Sequence, residues 1–359
     1  MMVDLNETLL STSASPFSSK SWPDHPVLEN RTQQLTVAIM ACLITVIGIP
    51  GNSIVILAVM SSKKLQNKTN IFVVNLACAD MVTCAVIPFQ AVSLLNETWP
   101  FSEAFCQVVA VLTCLGLGSS VVNLALIAFI RYSIITKSLT FHERLFTKTN
   151  LSLFVCGAWL FPLFFTLILP LVDVGALGYS ERYKLCTSDI SHALSHVYAL
   201  AVILVLFPSL VVIILCYVKI YQFVRGSGRN LIEFKSGIST REDPEKSREA
   251  PSSSIEVAIF RRQVKVTENL FIVVCTFIVC VTPFGITNGI PAATYPMIPW
   301  TLLLFFMNSC LNPIIYGLKH PQFKEVFWPI MTCSWRNIPE PSELIKFFRQ
   351  GDVLGSRFN

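Results

Sequence analysis

Asp80, in the stretch "NLACADMV", is a carboxylate placed deep inside a long apolar run. Polar residues recur at matching depths of other apolar runs: Asn52, Ser120, Asn308, Ser309 and Asn312. A carboxylate ringed by hydroxyl and amide oxygens is hard-cation chemistry and suits Na⁺. The same residues serve equally as an aspartate hydrogen-bonded to neighbouring helices. A second charge, Arg131, closes the apolar stretch "LALIAFIRYSII" and is preceded by Ile130. An ionisable group near the centre of a membrane helix costs ~2.5–3.5 kcal/mol even on lenient scales, so each such residue asks for a function. Enzyme chemistry is not legible. His25, His142, His192, His196 and His320 lie in loops or near helix ends. None has a Cys, Asp or Glu at a metal-ligand or catalytic spacing, and no phosphate-binding glycine loop occurs.

The elements that carry these residues are membrane spans. The chain has 359 residues, 53% hydrophobic and 14% charged, against about 25% charged in soluble domains. Apolar blocks of about 20 residues or more, the length that crosses a bilayer, fall at 35–60, 70–95, 106–135, 150–171, 193–224, 266–290 and 298–318. The fold class is therefore all-α, a seven-transmembrane helix bundle. Residues 1–34 read as an extracellular, disordered, glycosylated tail without a signal peptide. Residues 35–318 form the bundle, with 225–260 a flexible cytoplasmic loop rich in Gly, Ser and charge. Residues 319–359 form a cytoplasmic amphipathic stretch and tail.

Orientation follows from basic residues. With the N-terminus outside, all of the 27 Lys and Arg residues except Lys20, Arg31, Arg182 and Lys184 fall on the inner side. The net charge of +5 is thus a topology signal, and it does not point to nucleic acid. The sequons at Asn6, Asn30 and Asn96 fall outside, whereas those at Asn67 and Asn150 face the cytosol. Of 12 cysteines only Cys106 and Cys186 lie outside, a natural pair in an oxidising compartment. Cys333 follows the inner amphipathic stretch, where palmitoylation and a free thiol are both open.

Taken together, "GNSIV" at 51–55, "NLACAD" at 75–80, Cys106 placed 25 residues before Arg131, Trp159, Pro208, "FIVCVTPF" at 277–284 and "NPIIY" at 312–316 resemble the rhodopsin-like (class A) G protein-coupled receptors. The resemblance spans about 35–330. It implies a short helix along the membrane after helix seven, at "FKEVF". It also implies ligand binding in the outer half of the bundle, outward movement of helix six, and a heterotrimeric G protein as partner, with arrestin, a receptor kinase and membrane lipids besides. Arg131, Tyr132 and Tyr316 become the expected inner switch. Pro208, Phe277 and Pro283 become the activation core. Asp80, Ser120, Asn308, Ser309 and Asn312 match the family's sodium pocket, so no cofactor is required beyond a modulating sodium ion.

Three positions depart from the family. Ile130 replaces the usual acid before the helix-three arginine, which leads us to expect raised basal activity. Val281 replaces the helix-six tryptophan. Tyr217 lies nine residues after Pro208 instead of eight, with Cys216 in the usual place, so either the helix-five register or the switch differs.

Amine receptors carry an aspartate 18 residues before that arginine; here the residue is Thr113. Opsins carry a retinal-binding lysine where Phe306 stands. Thr113, Leu117, Phe284, Asn288, Leu302 and Phe306 are the expected ligand pocket, apolar with few polar groups. They suit a small, non-aminergic extracellular molecule. The loop "GALGYSERYKLCT" and helix five look similar to the melatonin receptors and related orphan receptors. A peptide ligand could use Asp173, Glu181, Arg182, Lys184 and Asp189. A non-signalling scavenger or dimer partner is a second class. A transporter or light-driven pump lacks support, with no retinal lysine, internal repeat or chain of buried carboxylates.

Overall fold

The computed structural model describes residues 28, 30–96, 98–181, 183–188, 192–238, 250–289, 295–343 and 345–347; at 196, 199, 227–238, 250–263, 266, 288, 289 and 295 the backbone alone is described. Among the described residues seven helices are long and apolar enough to cross a bilayer, as the apolar blocks predict. They are α1 (Arg31–Ser61), α2 (Lys68–Leu95), α3 (Glu103–Thr136), α5 (Lys148–Leu163), α7 (Ser195–Ile238), α8 (Ala250–Gly289) and α9 (Ile298–Lys319). A short α4 (Leu139–Leu145) joins α3 to α5. The fourth span continues from α5 through a π-helical turn, Phe164–Ile168, into α6 (Leu169–Leu171). That turn follows Pro162, whose carbonyl accepts Thr166 Oγ1 at 2.8 Å. Such wide turns form where a proline breaks the ladder. After α9, α10 (Pro321–Met331) lies at the end of the bundle.

Capping sets the boundaries. Asn30, Asn67, Ser102 and Thr147 each accept a backbone N–H of the first turn that follows, satisfying a donor the helix leaves orphaned. Proline lies inside every membrane helix except α3. The unbroken α3 is also the most buried, at 67% of its apolar window, so it is the central strut. Gly116 lets α2 approach it: a Cβ there would run into the Thr83 side chain and within 3.1 Å of its backbone nitrogen.

At one end of the bundle β1 (Leu177–Ser180) and β2 (Leu185–Ser188) form an antiparallel hairpin, Tyr179 opposite Cys186. The Cys106–Cys186 disulfide ties β2 to the start of α3, and Glu103 Oε1 accepts Tyr179 N at 3.1 Å. This is the hairpin end, and the opposite one is the α10 end.

The helix ends fall at residues the apolar blocks do not mark. Helix covers both ends of the stretch expected as a flexible loop, 225–260: α7 runs to Ile238 and α8 begins at Ala250, because the segments beside the membrane carry enough good helix formers, such as "NLIEFK" and "IEVAIFRRQ", to extend the spans; residues 239–249 lie outside the described residues. At the other terminus α1 begins at Arg31, within the last residues of the expected tail 1–34, and Asn30 caps it. Asn6 lies outside the described residues. Asn30 and Asn96 are exposed at helix ends, and Asn96 Nδ2 donates to Val92 O at 2.7 Å.

Candidate functional site

Three polar sites lie along the bundle. The central one is built on Asp80, wholly buried on α2. Ser120 Oγ of α3 donates to Asp80 Oδ1 at 2.8 Å, and Asn312 Nδ2 of α9 donates to Oδ2 at 2.7 Å. Asn52 of α1 donates to the carbonyls of Gly48 and Ser309, at 2.9 and 2.8 Å, the second taken up next to the Pro313 break in α9. Asn308 is 1% exposed, and neither its Oδ1 nor its Nδ2 has a hydrogen-bond partner among the described residues; the same holds for Asn312 Oδ1. Buried polar atoms are almost always satisfied. Unmatched oxygens beside a carboxylate fit a hard cation, so the donor set suits a sodium ion held by Asp80, Ser120, Ser309 and the Asn308 and Asn312 oxygens.

The second site is at the α10 end. Arg131, 5% exposed near the end of α3, lies within electrostatic reach of Tyr217 on α7, Tyr316 on α9 and His320. The tyrosine that meets the arginine is therefore Tyr217. Cys216 is buried beside it. The Tyr217 and Tyr316 hydroxyls are buried without a hydrogen-bond partner among the described residues. Ile130 is wholly buried in the main apolar core. Tyr132 is only half-buried and turns to the ammonium of Lys137, 5.6 Å from its ring, so the structure does not bring it into the cluster. Phe277 and Val281 are buried in the core, Pro283 is half-buried, and Pro208 is exposed on the lipid side of α7. Between α7 and α8 a mostly apolar cleft of about 1060 Å³ opens toward the α10 end, lined by Tyr217, Tyr221, Arg225, Thr267, Glu268 and Phe271 among others.

His320, absent from the expected site, caps the α9–α10 junction at 2% exposure, with its ring edge-on to Phe323. Burial, and then the Arg131 guanidinium, push its pKa down from 6.5 to about 3. Between those values the unfolded chain binds a proton that the folded one refuses. Stability at this residue is level above pH 6.5 and falls as pH drops through the window toward 3. His142 is shifted the same way by burial and by Lys68. The melting temperature should therefore fall from pH 7.5 to pH 5, and His320→Asn should flatten that decline. An unchanged slope in the variant would show that His320 is not the group refusing the proton.

The third site, at the hairpin end, divides the expected ligand pocket. Leu302 and Phe306 line a cavity of about 20 Å³ with Ala41, Gln90, Leu94 and Leu185, between α1, α2, α9 and β2. Phe284 packs on Phe305, ring centroids 5.2 Å apart. Leu117 is buried in the main core, and the Asn288 side chain lies outside the described residues. Thr113 is buried and bonded: its hydroxyl donates to Val109 O at 2.8 Å and accepts Gln90 Nε2 at 3.3 Å. Gln90, which sequence reasoning missed, also exchanges two bonds with Cys186, donating to its carbonyl at 2.8 Å and accepting its N–H at 2.9 Å. A lone amide in the apolar run "VIPFQAVSLL" was the available signal. Gln90 joins α2, α3 and the hairpin beside the disulfide.

A sequence profile described as "7 transmembrane receptor (rhodopsin family)" matches residues 51–316. Melatonin receptor type 1A of Mus musculus is 32% identical over 308 residues, covering 82% of this chain and 80% of that protein. Melatonin receptor type 1B of Homo sapiens is 30% identical, covering 83% and 79%. The 5-hydroxytryptamine receptor 4 of Cavia porcellus is 28% identical, covering 84% and 80%. The crystal structure of squid rhodopsin superposes with a TM-score of 0.71 at 21% identity, covering 88% of this chain and 93% of that one, and so shares the fold. With the profile spanning most of the bundle, its helices in the same order and the motif residues meeting as described, the chain belongs to the rhodopsin family of seven-transmembrane receptors.

Proposed function

We propose that the protein is a plasma-membrane receptor with its hairpin end and N-terminus outside. It binds a small, uncharged or weakly polar ligand at that end. It activates a heterotrimeric G protein by outward movement of α8 at the α10 end, where arrestin and a receptor kinase would also act. The observation that carries this reading is Arg131, buried between Tyr217 and Tyr316 at the end where α7 and α8 part around a large cleft. Two orphaned phenols beside a guanidinium are costly here, and they gain bonds if α8 moves and the three side chains rearrange.

Thr113 and Gln90 supply neutral polar groups at the hairpin end, where an amine would need a carboxylate. The likeness to proteins named as melatonin receptors supports a small neutral ligand. A sodium ion at Asp80 would modulate the equilibrium. Ile130, packed as hydrocarbon, contributes no charge to the resting state, which supports raised basal exchange. A scavenger without signalling is favoured by one feature only, the hydrocarbon packing of Ile130 and Val281.

The test is ligand-independent nucleotide exchange on a panel of G proteins with the full-length receptor in bilayers, with Arg131→Ala as control. Exchange on at least one G protein that the control lacks is expected. No difference from the control across the panel, with and without ligand libraries, would favour the scavenger.

A further inference from the structure

After α10 the chain turns back instead of leaving the bundle. Cys333 and Glu340 adopt positive φ of 51° and 45°, and the returning segment pairs with the loop between α1 and α2. Ser62 and Pro341 form an antiparallel bridge. Lys63 N donates to Glu340 O at 2.8 Å, Ser342 N to Ser61 O at 2.9 Å, and Ser62 Oγ to Pro339 O at 2.7 Å. Ile338 and Ile345, 3% and 4% exposed, join the same buried cluster as Leu65, Phe327 and Ile330. Outside this seam Lys63 Nζ meets Glu343 Oε1 at 2.5 Å, Lys346 meets the same oxygen at 3.2 Å, and Lys64 pairs with Glu325 of α10. The loop is thus held from α10 and from the tail together.

The clasped helix reaches the switch. Phe323 of α10, wholly buried, stacks on Tyr316 with centroids 5.5 Å apart and meets Phe327 edge-on at 5.6 Å. Gly317 makes room for that ring, since a Cβ there would come within 3.0 Å of it. A continuous run of packed side chains therefore joins the tail's seat to the tyrosine beside Arg131.

We propose that residues 338–343 and 345 form a clasp that positions α10 and, through the Phe323–Tyr316 stack, holds Tyr316 in its resting place, so that releasing the clasp raises basal G protein activation. The inference rests on the receptor reading above. Ile338 and Ile345 are positioning residues, and the pair Lys63–Glu343 sets the register of the seam.

The experiment uses the full-length receptor in phospholipid nanodiscs and reads two quantities: hydrogen exchange of 61–66 and 321–331, and basal nucleotide exchange on the responsive G protein. Ile345→Asp places a carboxylate in the apolar seat and is expected to deprotect both segments and raise basal exchange about two- to fivefold. Ile345→Val should behave as the parent. Glu343→Lys should act in the same direction more weakly, with Lys63→Glu added to it restoring the parent's behaviour, and it carries the test if Ile345→Asp does not fold. In a Tyr316→Ala background the release should add nothing. Deprotection with unchanged or lowered basal exchange overturns the clasp's role, as does an equal rise without Tyr316. If Arg131→Ala changes exchange in no variant, the receptor reading itself fails and the clasp's signalling role falls with it. Deprotection alone, with the Arg131 dependence intact, sinks only the clasp.

Discussion

Asp80→Asn should fold and lose its response to sodium. The parent is expected to melt higher in sodium chloride than in choline chloride at equal ionic strength. An ion that binds only the folded state stabilises by RT ln(1 + [L]/Kd), about 1.4 kcal/mol at tenfold excess, or a few degrees. The variant should melt alike in both salts. It should remain folded because the exchange of a carboxylate oxygen for an amide can be absorbed locally. Ser120 Oγ still has an acceptor at Oδ1, and Asn312 can rotate its amide so that its unpartnered Oδ1 takes the new donor. The charge is what disappears, and a hard cation bound by neutral oxygens alone is held far more weakly. Equal sodium responses in parent and variant would remove the ion site. The residues would then be read as an aspartate bonded between three helices, the alternative the sequence leaves open.

Much of this arrangement is legible in the chain because membranes leave few options. Only helices satisfy their own backbone in hydrocarbon, so seven apolar runs become seven helices. The polar residues stranded inside them must find one another. Asp80, Ser120 and Asn312 therefore meet as their depths suggest. Features set by packing between distant segments are not legible in that way. Gln90 is a single amide in an apolar run, and its role depends on β2, which places the Cys186 backbone against it. Leu117, Phe284 and Phe306 all belong to or pack on the main core, yet only Phe306 of the three lines the small cavity at the hairpin end, and Phe284 packs on Phe305. The seat of Ile338 and Ile345 joins segments nearly three hundred residues apart. A short stretch between Pro339 and Pro341 reads locally as loop, and no period in it announces the bridge to Ser62. The tyrosine near Arg131 is an intermediate case. Counting from Pro208 leaves the choice between Cys216 and Tyr217 open, and the electrostatic contact of Tyr217 with Arg131 favours Tyr217.

That choice gives the second large effect. Arg131→Ala should lower G protein nucleotide exchange at least tenfold, because the guanidinium is the one cation among the described residues buried at the α10 end of the bundle. Tyr217→Phe removes only a hydroxyl. That hydroxyl is buried without a partner among the described residues beside Arg131, so the resting state loses nothing when it goes and sheds an unsatisfied polar atom. Any state in which the phenol bonds the guanidinium loses a hydrogen bond to a charged group, worth about 1.5–3 kcal/mol. Both changes favour rest, and exchange should fall about tenfold or more while thermal stability holds or rises. Cys216→Ala serves as the comparison. It trims a small buried side chain at the usual position of the tyrosine, so it should cost some stability and leave exchange within about twofold. Activity lost in Cys216→Ala and kept in Tyr217→Phe would place the switch one residue earlier and reverse the assignment. Opposite movement of stability and exchange in Tyr217→Phe separates a switch from a packing residue, since truncating a residue that only packs lowers both together.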